Sequence, residues 1–365
     1  MSKKIRILFT TSNFDTAGSG KVIYDLIHGL DHNKFDIEIA CGHDRGHYFK
    51  VIQSLNLPIH VFKTKTAYRP YFSLLFRVLK ISKFFKSHDY DLIHSWQWSN
   101  DWTEALAAKL AGIPWIYTKK AMGFESKHWR IKSFLAKHII TINDDMRAYF
   151  PNKHAQSLIP LGIDTAYYSP EHFPDLPESE TFQIITVANL APVKGIEVLL
   201  HAIHQLKDPQ VRLTILGYNG NDYGQAMQAL SQSLGLQNQV RFIGKTADVR
   251  PYIVASNLYV IPTLDQGRKE GMPMALVEAM SMGIPVLGSN ISGIKYVLKD
   301  FKNLLFKAGD SHALCKLILD IKSLSHNEQR QLGASLRSYC INHFTLERFI
   351  GLHEALYLKL KTNKD

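Results

Sequence analysis

Cysteine is scarce in this 365-residue chain and long apolar runs are missing, and each shortage rules something out. The three cysteines, Cys41, Cys315 and Cys340, are odd in number and widely separated. Neither a disulfide framework nor a Cys/His metal site has that spacing; buried thiols in a reducing cytosol do. No apolar stretch approaches the roughly 20 residues that cross a bilayer. Lys3, Lys4 and Arg6 precede only the brief apolar run 7–9, so no secretory leader is expected. Short-period repeats and low-complexity tracts are absent. Two phosphate-binding signatures are wanting as well. In Asp15-Thr16-Ala17-Gly18-Ser19-Gly20-Lys21-Val22, Asp15 stands where a P-loop needs its first glycine. Val22 stands where that loop needs a magnesium-holding hydroxyl, and no G-x-G-x-x-G occurs. With no recognisable nucleic-acid module, a nucleic-acid partner is not expected.

What is present suits a globular chain. A hydrophobic content of 45% with 21% charged residues, at this length, allows two separate cores. The net charge of +11 is uneven. Residues 1–170 carry 23 Lys and Arg against 14 Asp and Glu, a balance of +9; residues 171–365 carry 20 against 18, a balance of +2. The first half therefore suits an anionic partner, whether membrane surface, lipid phosphate or nucleic acid, although a solvated basic face reads the same way. Short apolar runs at 5–11, 35–41, 59–62, 91–94, 115–118 and 138–142 predict strands, with helical patterns at 21–30, 71–85 and 103–111 among them. The stretch 168–180, with three prolines and several acids, predicts a linker. Strand–helix alternation restarts at 182–188 and runs to the end, where 345–360 predicts a closing helix. Alternation of this kind predicts α/β domains with parallel sheets that bind ligands beyond the carboxyl ends of their strands.

The densest motif is Glu270-Gly271-Met272-Pro273-Met274-Ala275-Leu276-Val277-Glu278. Pro273 suits the first helical position, which places Glu270 in the preceding loop and Glu278 inside the helix. Backbone N–H groups at a helix start favour an anion. A carboxylate beside such a place suits a ligand with both phosphate and hydroxyl groups, although a surface loop before a core helix has the same spacing. Three other turns end predicted strands. Gly18 lies in a small-residue turn opening a helix. Asn189 and Lys194 lie in Asn189-Leu190-Ala191-Pro192-Val193-Lys194-Gly195, where the lysine is a counter-charge for phosphate or simply solvated. Gly244 and Lys245 follow the strand at 240–243 and offer backbone groups to a base.

Together these segments resemble the retaining nucleotide-sugar-dependent glycosyltransferases of family 4 (glycosyl transferases group 1), with the GT-B fold. The resemblance spans nearly the whole chain. It is most specific from Glu270 to Ser289, which looks like the family's E-x7-E block followed by G-x-P-V. It implies two Rossmann-like parallel-sheet domains facing a cleft, with a C-terminal helix crossing back to the first. The implied divisions are an acceptor domain at 1–168, a linker at 169–180, a donor domain at 181–343 and the returning helix at 344–365. It implies transfer of a hexose from a nucleotide sugar to a glycan or lipid-linked glycan, for a cell-surface polysaccharide or glycolipid. Lys194 would neutralise the donor diphosphate, Glu270 would hold hydroxyls of the sugar, and Gly271, Met272 and Pro273 would line it. Glu278 would bind the ribose, and Gly18 would approach the phosphates from the other domain. No covalent nucleophile is evident, so a front-face mechanism is implied, with no cofactor and no metal. Two departures stand out: Asn189 where the family has Arg, and Lys120 in the region of the family's His. Lys120 is expected to restore part of the missing positive charge as a catalytic group. A sugar-nucleotide epimerase or a silent glycan-binding scaffold are the alternative functions.

Acceptor candidates lie in the first half. Trp96, Trp98 and Trp102 follow a predicted strand and either stack on sugar faces or pack inside. The basic, aromatic segment 69–86 either lies on an anionic membrane or packs Leu75 and Leu79 into the core. The expected location is the cytoplasm, with peripheral association at the inner face of the plasma membrane.

Overall fold

Strands buried on both faces need apolar residues at consecutive positions, and this chain supplies them. The strand Ile5–Thr11 is buried at all but one of its positions. In the computed structural model, which describes residues 3–15, 17–174, 179–267 and 271–362, such runs assemble into two sheets. The first holds β1 (Ile5–Thr11), β2 (Phe35–Cys41), β3 (Ile59–Val61), β4 (Leu92–Ser95), β5 (Trp115–Lys119), β6 (His138–Thr141) and β7 (Gln156–Leu158), in the order β3-β2-β1-β4-β5-β6-β7. The second holds β8 (Phe182–Val187), β9 (Val211–Leu216), β10 (Val240–Ile243), β11 (Leu258–Ile261), β12 (Val286–Ser289) and β13 (Leu305–Phe306), in the order β10-β9-β8-β11-β12-β13. Every ladder is parallel, from β1 on β2 to β12 on β13. In each sheet the strand order reverses direction once, between β1 and β4 and between β8 and β11. Ligands bind at such reversals, outside the carboxyl ends of the strands.

The chain divides into two compact units. One runs to Gly162 and takes in the C-terminal segment from Leu346; the other spans Ile163–Thr345. The helix Leu346–Thr362 thus belongs with the first sheet, as the resemblance implies. Buried Phe349, Leu356, Tyr357 and Leu360 form its inner face. The Tyr357 hydroxyl lies 2.7 Å from Nδ1 of His94 on β4, and Glu354 accepts the backbone N–H of Asp31 at 2.7 Å. Burial drives His94 well below the usual histidine range, with repulsion from His353 and Lys120 adding to it, so the imidazole is neutral.

In the second unit, the start of the proline-rich stretch is tied down. The Tyr168 carbonyl accepts Ser281 Oγ at 2.7 Å and Arg337 at 3.2 Å, and Ser169 Oγ accepts Arg337 at 3.1 Å. Residues 175–178 of that stretch lie outside the described residues. Among the described residues no helix is long and apolar enough to cross a membrane.

Candidate active site

The carboxyl edge of the second sheet gathers most of the donor candidates. Past β8, Asn189 is exposed and Leu190 is buried, and a short 3-10 turn, Pro192–Lys194, leads into the helix Ile196–Leu206. Gly195 joins them at φ +64, and a Cβ there would stand 2.2 Å from the carbonyl oxygen of Pro262. Only glycine combines that dihedral with that approach. The approach is fastened by Leu264, whose N–H donates to the Val193 carbonyl at 2.8 Å. The half-buried Lys194 is therefore carried on a turn bound directly to the segment 262–264 that follows β11. At the ends of β9 and β10, the Lys245 ammonium lies 5.5 Å from the centre of the Tyr218 ring, and Gly244 precedes it.

Glu270 lies outside the described residues. Gly271, Met272 and Pro273 are buried. Pro273 is one position earlier in the helix than the sequence predicts. Its ψ of 105 is extended, so it caps the helix Met274–Ser281 instead of opening its first turn. Its carbonyl accepts the N–H groups of Leu276 and Val277 at 3.2 and 3.4 Å. Glu278 is half-buried, and its carboxylate takes the Tyr168 hydroxyl. Burial, then the Glu278 charge, push Tyr168 far above the usual tyrosine range, which keeps it a hydrogen-bond donor.

On the first sheet, Gly18 is exposed near the start of the helix Ala17–Gly29. The tryptophans separate. Trp96 is fully buried, so its ring offers no face to a sugar; the apolar packing at the end of β4 outcompetes exposure. Trp102 stacks on Tyr68 with ring centres 5.4 Å apart and donates to His128 at 3.0 Å. Trp98 remains 55% exposed and is the ring able to meet a ligand.

Lys120, directly after β5, stands in unexpected company. Its ammonium turns inward to the Trp96 carbonyl at 2.7 Å. Beside it, Lys119 is buried with its ammonium 4.1 Å from the centre of the Trp129 ring, and it donates to the Ala121 carbonyl. Lys132, on the helix Lys127–Leu135, is fully buried and donates to the Ser99 carbonyl at 2.8 Å. Burial, reinforced by Lys132, lowers Lys119 and Lys120 to about 7, and burial lowers Lys132 to about 8. The sequence reading misses Lys119 and Lys132. The available signal was the Lys-Lys pair ending an apolar strand and a lysine three residues after Trp129 on the same helix face.

Two cation-binding patterns are filled by protein groups. Ligand atoms of Glu38, His60 and His88 lie within 4.8 Å of one another. Glu38 already accepts His60, Tyr90 and Arg6, each at 2.7 Å. Burial raises its pKa, but those donors outweigh it and hold the carboxylate below its ordinary range. The Asp89-Tyr90-Asp91 triplet resembles a metal-binding Asp-x-Asp. Asp89 pairs with Lys3 at 3.7 Å, and Asp91 accepts the Arg6 N–H at 3.0 Å, ahead of β4 and away from its carboxyl end.

Two doubly wound parallel sheets, each with polar loops collected at its carboxyl edge, define a GT-B protein. Family models match in tandem, "Glycosyltransferase Family 4" over residues 16–167 and "Glycosyl transferases group 1" over residues 169–338, and the chain belongs to this family of glycosyltransferases. It is 23% identical over 316 residues to the UDP-Gal:alpha-D-GlcNAc-diphosphoundecaprenol alpha-1,3-galactosyltransferase of Escherichia coli, a match covering 79% of this chain and 80% of that one. A glycosyltransferase structure from Rickettsia africae ESF-5 superposes with a TM-score of 0.87 at 17% identity, over 98% and 99% of the two chains. Anabaena Alr3699/HepE, solved in complex with UDP, superposes with a TM-score of 0.81 at 20% identity, over 96% and 99%.

Proposed function

We propose that this glycosyltransferase moves a hexose-type sugar, with retention of configuration, from a nucleotide sugar to a glycan or lipid-linked glycan in cell-surface polysaccharide or glycolipid synthesis. The observation that carries the reading is the bond between Leu264 and Val193, which fixes the Lys194 turn against the segment after β11 at the carboxyl edge of the second sheet. A cation for the departing diphosphate is then held where that sheet takes its ligand, and the motif assigns Glu270 to the sugar hydroxyls. The names of the Escherichia coli relative and of the UDP-bound Anabaena structure support a nucleotide-sugar donor.

In this reading Lys194 neutralises the charge that develops on the leaving diphosphate, the largest electrostatic demand of the reaction. Glu270 accepts sugar hydroxyls, while Gly271, Met272 and Pro273 close around the ring. Glu278, positioned by Tyr168, accepts the ribose hydroxyls. Gly244 and Lys245 border the base, Gly18 gives close backbone approach on the first unit, and Asn189 contributes a hydrogen bond but no charge. The leaving phosphate assists deprotonation of the acceptor, and neither metal nor cofactor takes part. An anionic membrane surface at the inner face of the plasma membrane is the proposed setting.

The test is a thermal-shift panel of nucleotide sugars and free nucleotides. One nucleotide sugar at about 100 times its Kd adds about 2.7 kcal/mol to stability. Glu270→Ala loses that gain. The absence of a shift with every nucleotide sugar overturns the reading.

A further inference from the structure

We propose that the carboxyl edge of the first sheet, around Ser12, Lys65, Trp96, Ser99 and Lys120, is a subsite for a phosphate or diphosphate group carried by the acceptor. Its assignment to the acceptor rests on the transferase reading above; the subsite itself rests on the first unit alone.

Four lysines converge here, and among the described residues neutral groups alone accept their hydrogen bonds. Lys65 donates to Ser12 Oγ at 2.9 Å, Lys120 to the Trp96 carbonyl at 2.7 Å, Lys132 to the Ser99 carbonyl at 2.8 Å and Lys119 to the Ala121 carbonyl. None of the four forms an ion pair among the described residues, although Lys132 feels the carboxylates of Glu104 and Asp101. Lys65 and Lys120 are half-buried and reach neighbouring residues from either side of β4. Lys120 meets Trp96, and Lys65 meets Ser12, which in turn donates to Gln97 at 2.5 Å. Lys119 and Lys132 stand behind them, 2% and 0% exposed.

Buried ammonium groups lose hydration and, when clustered, also repel one another, which is why three of them have depressed pKa values. Aromatic faces offset part of that cost at Lys119 and Lys132. An anion would offset far more. At the same edge Ser99 Oγ, on a half-buried residue, is buried with no hydrogen-bond partner. A hydroxyl donates readily, so the complement is a group rich in acceptor oxygens. Phosphate supplies such oxygens together with a charge that two half-exposed lysines can share. A general-base role needs one lysine with a free lone pair, and it explains neither the other lysines nor the unpaired hydroxyl. Lys120 turns to the Trp96 carbonyl, and Lys65 and Lys132 bond groups of the same unit, so in place of the donor charge expected from the sequence we assign the phosphate to the acceptor, the substrate of the first unit in the transferase reading. A lipid-linked acceptor fits the surroundings, because Arg77 ties the loop carrying Lys65 to the helix Leu74–Ser87, bonding Thr66 Oγ1 at 3.0 Å and the Ala67 carbonyl at 2.8 Å. That helix exposes Leu75, Phe76 and Leu79.

Inorganic pyrophosphate is the probe, titrated calorimetrically into the full chain carrying Lys194→Met so that the proposed donor cation is removed. A binding event is expected to persist there. Adding Lys120→Met or Lys65→Met should weaken it about tenfold or more, the scale of one lost charged hydrogen bond. Lys65 is half-exposed, so its replacement tests the idea without disturbing the core. Loss of all binding in Lys194→Met alone, or unchanged affinity in both added variants, overturns the subsite. A subsite that binds pyrophosphate in a chain giving no nucleotide-sugar thermal shift leaves the subsite standing and sinks the transferase reading instead. Phosphatidylcholine vesicles with and without a long-chain isoprenyl monophosphate then separate the sources. Binding enhanced by the isoprenyl lipid and lost in Lys120→Met assigns a lipid-linked acceptor. Pyrophosphate binding without that enhancement assigns a soluble phosphorylated acceptor.

Discussion

Gly195 carries a constraint that can be weighed against a matched control. It holds φ +64 with the Pro262 carbonyl 2.2 Å from where a Cβ would sit. Gly235, in the same unit, holds φ +71 with nothing within 4 Å of that point. Gly235→Ala should cost about 1–2 kcal/mol from the left-handed backbone alone. Gly195→Ala should cost that and a further 1–3 kcal/mol or so, because the turn must part from the 262–264 loop. Urea unfolding of the two variants measures the difference; equal losses would mean that the Lys194 turn is not held by close approach. Single residues of this kind were unevenly legible. Lys194 and Gly195 stood out because a lysine and a glycine open a helix after a strand. Lys132 did not, because a helical lysine normally keeps its ammonium in water; here the Ser99 carbonyl, the Glu104 and Asp101 charges and the neighbouring Trp115, Tyr117 and Trp129 rings offset the cost of its burial.

Among the elements, the helix Leu74–Ser87 shows why periodicity stops short of orientation. Its apolar residues satisfy helical spacing on two faces, Val78-Ile81-Phe85 and Leu75-Phe76-Leu79. One of the two sequence readings packs Leu75 and Leu79 into the core, but the buried set is Val78, Ile81, Ser82 and Phe85, of which Val78, Ile81 and Phe85 join β4 and β5 residues in one core cluster. Leu75 and Leu79 are 59% and 44% exposed, and Phe72 and Phe76 are 85% and 76% exposed. Arg77 is half-buried and staples the preceding loop. Strands were easier to read, since runs buried on both faces admit one answer: β1 and β2 fall where the sequence predicts. The short β7 and β13 escaped because three or two residues carry no period. The exposed apolar face continues into Lys80, Lys83 and Lys86, which are also exposed. That gradient suits insertion of the aromatic end below anionic headgroups. Flotation with phosphatidylglycerol vesicles should recover the chain at moderate salt, and Phe72→Ser with Phe76→Ser should abolish recovery. Equal recovery of the double variant would reject the membrane face.

At the scale of the whole molecule, two cores and a lopsided charge give a separable response to pH. All five tryptophans lie at or before Trp129, in the first unit, so their fluorescence reports that unit alone. The same unit buries Lys119, Lys120 and Lys132, lowered to about 7, 7 and 8 against 10.5 for a free lysine. The charged groups around them are Lys65, Asp101 and Glu104, of which the two acids pull Lys132 upward and Lys65 pushes it down. Below pH 7 the three are protonated whether folded or not, and the full cost of burying charge is present. Between about 7 and 10.5 the unfolded chain holds more protons than the folded one, so this contribution to stability rises with pH. That slope is opposite to the one expected of a lysine held in a salt bridge, whose raised pKa makes stability fall with increasing pH. The urea midpoint read by tryptophan fluorescence should therefore climb from pH 7 to about pH 9.5. The Lys119→Met, Lys120→Met double variant should flatten much of the climb. A bound phosphate group would restore the charged form of Lys120, so saturating pyrophosphate should flatten it as well in the unsubstituted chain. A midpoint that falls over this range, or climbs equally in the double variant, would mean that these lysines keep their charge in the folded state.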